Sequence, residues 1–236
     1  MDTKKYKLTE ETINVNGKSL YRIEALKDFG NVKKGDKGGF IENENNLTQY
    51  GKCWVYDNAT VSGYAMVHNN ATVSGNAKVS GNAIIHEDAK IYGDAKVSGK
   101  AIVHDKAEIY DNAEVHGDAM VYENAKIYGN AKVSGNAVVC GDAEVCGKAE
   151  VCDNAEIRGN VIVANDSDYI VFKNWWSSGR YFTWTKSNNM WKVGCFYGSG
   201  KQLINKAYMD SELSGNEYER VVRYVDKDYP EIIKNQ

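Results

Sequence analysis

The chain has 236 residues, 26% of them charged, with a formal net charge of −3 at pH 7, a balance that excludes a general nucleic-acid binder and a strongly acidic nucleic-acid mimic. No apolar run approaches the roughly 20 residues that span a bilayer, and the opening MDTKKYKLTEE lacks the apolar stretch of a secretion signal, so the expected setting is the cytoplasm, away from membranes. The five cysteines, Cys53, Cys140, Cys146, Cys152 and Cys195, are an odd number without such a signal and are expected as reduced thiols.

Residues 6–26 alternate polar and apolar side chains around the pair Asn16 and Gly17, the pattern of a β-hairpin. With the glycine-rich stretch from Gly35 to Gly39, residues 1–54 are expected to form a cap on the element that follows.

From Val55 to Val163 an aliphatic residue recurs every six positions, 19 times without a miss. Four residues after each comes alanine, from Ala59 to Ala155, with Val161 as the closing variant. Between them stand pairs such as Gly-Asn, Gly-Asp, Asp-Asn or Asp-Lys, which suit left-handed corners. The small alanine and the branched aliphatic two residues later point to the same side of a short strand, so each hexad is one strand and one corner. A helix is excluded, because a period of six does not keep one face of a 3.6-residue turn and the recurrent Gly and Asn oppose it.

Outward positions resemble one another best at a stride of 18, which is three hexads per coil. Residues 55–164 therefore form a three-faced parallel β-helix of about six coils, roughly 30 Å long at ~4.8 Å per coil. One face carries the column Met66, Ile84, Ile102, Met120 and Val138 beside the column His68, His86, His104, Tyr122 and Cys140, ending at Glu156 and Arg158. The second carries Lys78, Lys96, Glu114, Lys132 and Glu150 beside serines and His116, ordinary solvated surface. The third pairs Lys90, Glu108, Lys126 and Glu144 with Tyr92, Tyr110 and Tyr128.

Residues 165–236 change composition and hold four of the five tryptophans. Short alternating runs separated by Ser-Ser-Gly and Ser-Asn-Asn read as three antiparallel strands. Two helices follow, Lys201 to Asp210 and Gly215 to about Asp228, the second expected to start after Ser214 with Glu217 completing a capping box. The result is a small α+β module of the βββαα or ββββαα kind.

The V-x-G-N-A-x unit resembles the hexapeptide-repeat family, whose members fold as left-handed β-helices and include acyltransferases that usually act as trimers. The opening segment KYKLTEETINVNGKSLYRIEALKDFGNVKKGDKGGFIENENNL and the repeat are also similar to hexapeptide-repeat proteins of gut bacteria and their phages, often labelled acyltransferases. A label inherited from a repeat carries the fold rather than the chemistry.

Three candidate sites follow. Cys140, Cys146 and Cys152 recur every six residues, but identical hexad positions place them on three different faces, where they cannot share one tetrahedral ion with bonds of ~2.3 Å; no metal is expected there. Met66, Ile84, Ile102, Met120 and Val138 with His68, His86, His104 and Tyr122 make an exposed apolar face of the kind that marks contact surfaces. It is expected to be buried in a homotrimer, or else by the C-terminal module folded back on the shaft. Stacked imidazoles resist joint protonation, so the contact is expected to be acid-sensitive. In the C-terminal module Trp175, Trp176, Trp184, Trp191, Arg180 and Tyr181 are the residue types that dominate recognition patches. A small module also needs large aromatics as core, so most of these tryptophans are expected buried, with Trp176 and Arg180 exposed near a turn.

The reading that results is a non-catalytic oligomeric scaffold, without cofactor, that presents its end modules to a protein partner. In a phage setting, which rests on the resemblance, it would bind or sequester a host defence factor in the host cytoplasm. The alternative is a CoA-dependent acyltransferase using acetyl-CoA or another acyl-CoA, with His68, His86 or His104 as base in a groove between subunits. Against it, the aliphatic row lacks the interrupting loop with which family enzymes shape an acceptor pocket. A filament component is disfavoured by the distinct segments at both ends.

Overall fold

The computed structural model describes residues 4–174, 176 and 179–227. The hexads form strands of two or three residues, and each strand of the shaft up to Glu144–Val145 pairs in parallel with the one 18 residues on, Lys96 with Glu114 and Ile102 with Met120 for example. Three sheets result. One holds Trp54–Val55 through Ile162–Val163 in seven strands, one holds Met66–Val67 through Glu156–Arg158 in six, and one runs from Thr60–Val61 to Glu150–Val151. The alanines from Ala59 to Ala155 and the aliphatic row from Val55 to Val163 are buried to within 1%, filling a core too narrow for larger pairs.

Each corner places one residue at positive φ, a glycine in most hexads. At Gly99 (φ +70°) a Cβ would lie 2.7 Å from the backbone nitrogen of Gly117 in the next coil. Gly99→Ala is therefore expected to lower unfolding stability by about 2 kcal/mol, combining left-handed strain with displaced backbone, as urea denaturation followed by circular dichroism would measure. Where a non-glycine takes the corner, its side chain can reach across coils: Asp57 accepts from the Gly75 N–H at 2.9 Å and Asp111 from that of Gly129 at 3.2 Å.

The N-terminal cap is built as expected around Asn16 and Gly17, both at positive φ, between strands Tyr6–Val15 and Lys18–Ala25. A third strand, Lys37–Ile41, lies in the glycine-rich stretch. It pairs antiparallel with the hairpin and parallel with Thr60–Val61, so the cap and one shaft face form a single nine-stranded sheet. Gly38 and Gly39 are required by close approach, since a Cβ would stand 2.7 Å from Trp54 Cζ2 at the first and 2.7 Å from Val55 Cγ1 at the second.

The C-terminal module has four antiparallel strands, Tyr169–Lys173, Tyr181–Thr185, Met190–Val193 and Phe196–Ser199. The fourth is short and runs straight into helix Gly200–Asp210, whose Ser199 and Gln202 form a capping box. The second helix spans Glu212–Lys227 and starts earlier than expected. Ser211 Oγ, not Ser214, takes an orphan amide, that of Ser214 at 3.0 Å, and Glu217 pairs with Arg220 at 3.0 Å instead of closing a capping box. Asp228 lies outside the described residues.

The module closes the far end of the shaft. Thr183 Oγ1 accepts from the Glu156 N–H at 3.0 Å, Ser187 Oγ from that of Ile162 at 2.9 Å, and Tyr197 donates to the Arg158 carbonyl at 2.8 Å. Folding back along the His-bearing face is thereby ruled out as its resting place. Among the described residues no helix is long and apolar enough to cross a membrane.

Candidate functional site: the histidine ladder and its corner

The 18-residue coil stacks His68, His86, His104 and Tyr122 into one ladder. Ring centroids lie 5.0, 4.9 and 5.0 Å apart with planes within 8° of parallel. Beside it Met66 is 43% exposed, and Ile84, Ile102, Met120 and Val138 are half-buried. The histidines are half-buried too, because each neighbour covers one ring face and leaves the ring edge to solvent. The ladder ends on a drier pair: a hydrogen bond to Cys140 and burial push the Tyr122 hydroxyl up to about 12, and burial raises the Cys140 thiol.

Sequence reasoning missed the neighbouring corner. Where most hexads place glycine, this face places Asn69, Glu87, Asp105 and Glu123, all at positive φ between 56° and 59°. Glutamate is uncommon in that conformation, and strained backbone clusters at sites with a function. The signal was legible as I-H-E-D and V-Y-E-N standing in place of V-S-G-N.

The column draws charge toward the imidazoles. Asp105 Oδ2 lies 3.3 Å from His104 Nδ1, and Glu87 Oε1 lies 4.0 Å from His86 Nδ1. Asp105 also accepts from the Glu123 N–H at 3.0 Å. An interaction between the two carboxyls raises Glu87 and lowers Asp105. Burial, followed by the charges of His104 and His68, lowers His86. Chemically, the arrangement offers an imidazole with a carboxylate on Nδ1 and its other nitrogen free to face a ligand. Ligand atoms of Glu87, His104 and Asp105 lie within 4.8 Å of one another, a solvent-facing donor set for a divalent cation.

Two grooves flank the N-terminal end of the ladder. One, of about 630 Å³, includes Thr48, Tyr50, His68 and Asn69; the other, of about 680 Å³, includes Glu42, Tyr64, Met66 and Ile84. Tyr64 and Tyr50 are 83% and 71% exposed, extending the apolar face toward the cap.

The remaining candidates separate. Cys140, Cys146 and Cys152 fall on or directly after strands of three different sheets, and all are free thiols. Trp184 and Trp191 are core, 6% and 0% exposed. Trp176 departs from the expectation of exposure: it is half-buried against Phe182 and Tyr218, at 6.0 and 6.3 Å between centroids, because the thin sheet needs its ring to fill space beneath the second helix. Trp175 lies outside the described residues. Arg180 is exposed and borders a cavity of about 360 Å³ with Cys195, Lys206 and Tyr218. Tyr181, 36% exposed, sits under the Lys173 ammonium at 5.9 Å. These residues do not converge with the ladder.

Comparison with known proteins agrees with the shaft. The family model of the YdcK β-solenoid repeat matches residues 55–69 and 125–141. The uncharacterized acetyltransferase YdcK of Escherichia coli is 35% identical over 83 residues, which make up 31% of this chain and 26% of that protein. The alignment thus spans about a quarter of that relative's length. The six-residue period, the 18-residue coil seen in every shaft pairing and the matched repeat segments together make the shaft a parallel β-solenoid, consistent with the hexapeptide-repeat family.

Proposed function

We propose that the protein is an oligomeric scaffold, assembled as a trimer through the face of Met66, Ile84, Ile102, Met120 and Val138, that presents its two capped ends to a protein partner. The observation that carries this reading is the unbroken apolar column beside the histidine ladder, left uncovered by either cap. Contiguous, partly exposed apolar surface of this kind marks contact sites. The partner is a protein, and the resemblance to phage proteins makes a host factor the first to try.

Light scattering tests the assembly. The native chain is expected at three times its 26.3 kDa mass, and the double variant Ile84→Lys, Ile102→Lys at one times that mass, since buried unpaired ammonium groups are costly. A native monomer, or a variant with unchanged mass, defeats the reading.

A second reading, transfer of an acyl group from acyl-CoA, is favoured by the similarity to a protein named as an acetyltransferase and by the Asp105 carboxylate on His104 Nδ1. In it His104 Nε2 takes the acceptor's proton while Asp105 holds the ring's orientation and stabilises the imidazolium. Calorimetric titration with acetyl-CoA separates the two: saturable binding abolished by His104→Ala supports transfer, and no heat of binding leaves the scaffold.

A further inference from the structure

The N-terminal cap buries an amine against a thiol. Lys5 is 1% exposed and Cys53 0%. Lys5 Nζ donates to the carbonyls of Cys53 at 2.9 Å and Tyr50 at 3.4 Å, and lies 3.2 Å from Cys53 Sγ. The Phe29 ring is 5.0 Å away. The neighbouring lysines behave differently, Lys4 pairing with Glu44 at 2.7 Å and Lys7 with Glu24 at 3.1 Å on the surface. A methionine would fill the Lys5 site at less desolvation cost, so the amine at this position calls for a chemical reason. Burial lowers the pKa of Lys5 and raises that of Cys53, which favours the neutral amine and neutral thiol.

We propose that Lys5 and Cys53 are a modification site at which hydrogen peroxide closes an N–O–S cross-link between Nζ and Sγ. On opening, the amine takes the thiol's proton, the thiolate attacks a first peroxide to give the sulfenic acid, the proton returns from the ammonium to the departing hydroxide, and one water leaves. A second takes two electrons from the sulfenic acid and the amine together. The sulfenic oxygen bonds to nitrogen, one hydrogen departs from each group, and two waters leave. The amine and thiol thus become N(H)–O–S, two peroxides become three waters, and no further reductant or oxidant is needed. The 3.2 Å separation asks for only a small closure around the inserted oxygen.

Access is by local opening. Sγ sits 3.6 Å from the carbonyl oxygen of Tyr50, in a loop whose tyrosine ring is 71% exposed, and such loops open at small free-energy cost. The bond would tie the start of the first strand to the entry of the shaft, 48 residues on, locking the cap as other cross-links do by restricting the unfolded chain. Cys195, exposed in the far module, is the internal control for peroxide exposure.

The test is peptide mass spectrometry of the native full-length chain after peroxide treatment. The expected product joins the Lys5 and Cys53 peptides, one oxygen heavier and two hydrogens lighter than their sum. It disappears on treatment with dithiothreitol, in protein oxidised in urea, and in Lys5→Met. Cys53 recovered as sulfinic acid with Lys5 free overturns the proposal. So does Cys53 left as thiol when Cys195 is fully oxidised, and so does a link that lacks the oxygen.

Discussion

Trp54→Ala will lower the unfolding free energy by about 3–5 kcal/mol, the range for removing a fully buried tryptophan from a packed core. The Trp54 ring is 1% exposed and joins the first coil to the cap, edge-on to Phe29 at 5.3 Å and to Tyr6 at 6.1 Å. Gly38 approaches it so closely that even a methyl group there would collide. A solenoid is stabilised by nearest-neighbour stacking, so loss of this contact with the cap frays the shaft from one end. Hydrogen exchange is the measurement: amides of residues 60–79 should lose protection while those of 120–139 keep theirs. Uniform loss along the shaft would show instead that the coils unfold as one unit and that the cap has no local role.

Acidification should dissociate the proposed trimer, with the effect setting in as pH falls below about 6.5 toward the depressed value of His86. His86 is lowered below its ordinary value of 6.5 by burial and by the charges of His104 and His68, with Glu87 and Asp105 as the facing carboxyls. A histidine whose folded pKa is depressed binds fewer protons than the unfolded chain over the interval between the two values. Stability is therefore full above about 6.5 and is lost as pH falls from there to the depressed value. Burial in a subunit contact deepens the desolvation and widens that interval. Each pH unit within it is worth up to about 1.4 kcal/mol per ladder, and the proposed trimer would hold three ladders. Light scattering from pH 7.5 to 5 should show the mass fall, and His86→Phe, which keeps a stacked ring without the charge, should hold the mass at pH 5. A native mass independent of pH, or a phenylalanine variant just as acid-sensitive, would place the contact elsewhere.

Local chemistry made the shaft legible. The six-residue row, alanine and aliphatic residues facing one side and glycine at the corner fix strand, turn and coil length together, because an 18-residue stride is the register that stacks like on like. The histidine ladder followed from the same arithmetic, and so did the separation of Cys140, Cys146 and Cys152 onto three faces. The hairpin at Asn16 and Gly17 was equally local, since two residues at positive φ in succession are rarely tolerated elsewhere.

Tertiary structure decided what depends on contact between distant segments. That Lys37–Ile41 joins the cap to the shaft through Phe40 and Thr60 has no periodic signature, because its glycines are there for the approach of Trp54 and Val55. The half-burial of Trp176 was decided by Tyr218 on a helix some forty residues later. The corner carboxylates of Glu87 and Asp105 acquired their mutual interaction and their place beside the imidazoles only once coils stacked. Lys5 and Cys53 met because the cap folds its first strand under the entry of the shaft. The sequence by itself determined the solenoid and the columns on its faces, since a repeat imposes them residue by residue; the fold decided which titratable groups lie within reach of one another, since that depends on how the irregular ends close over the repeat.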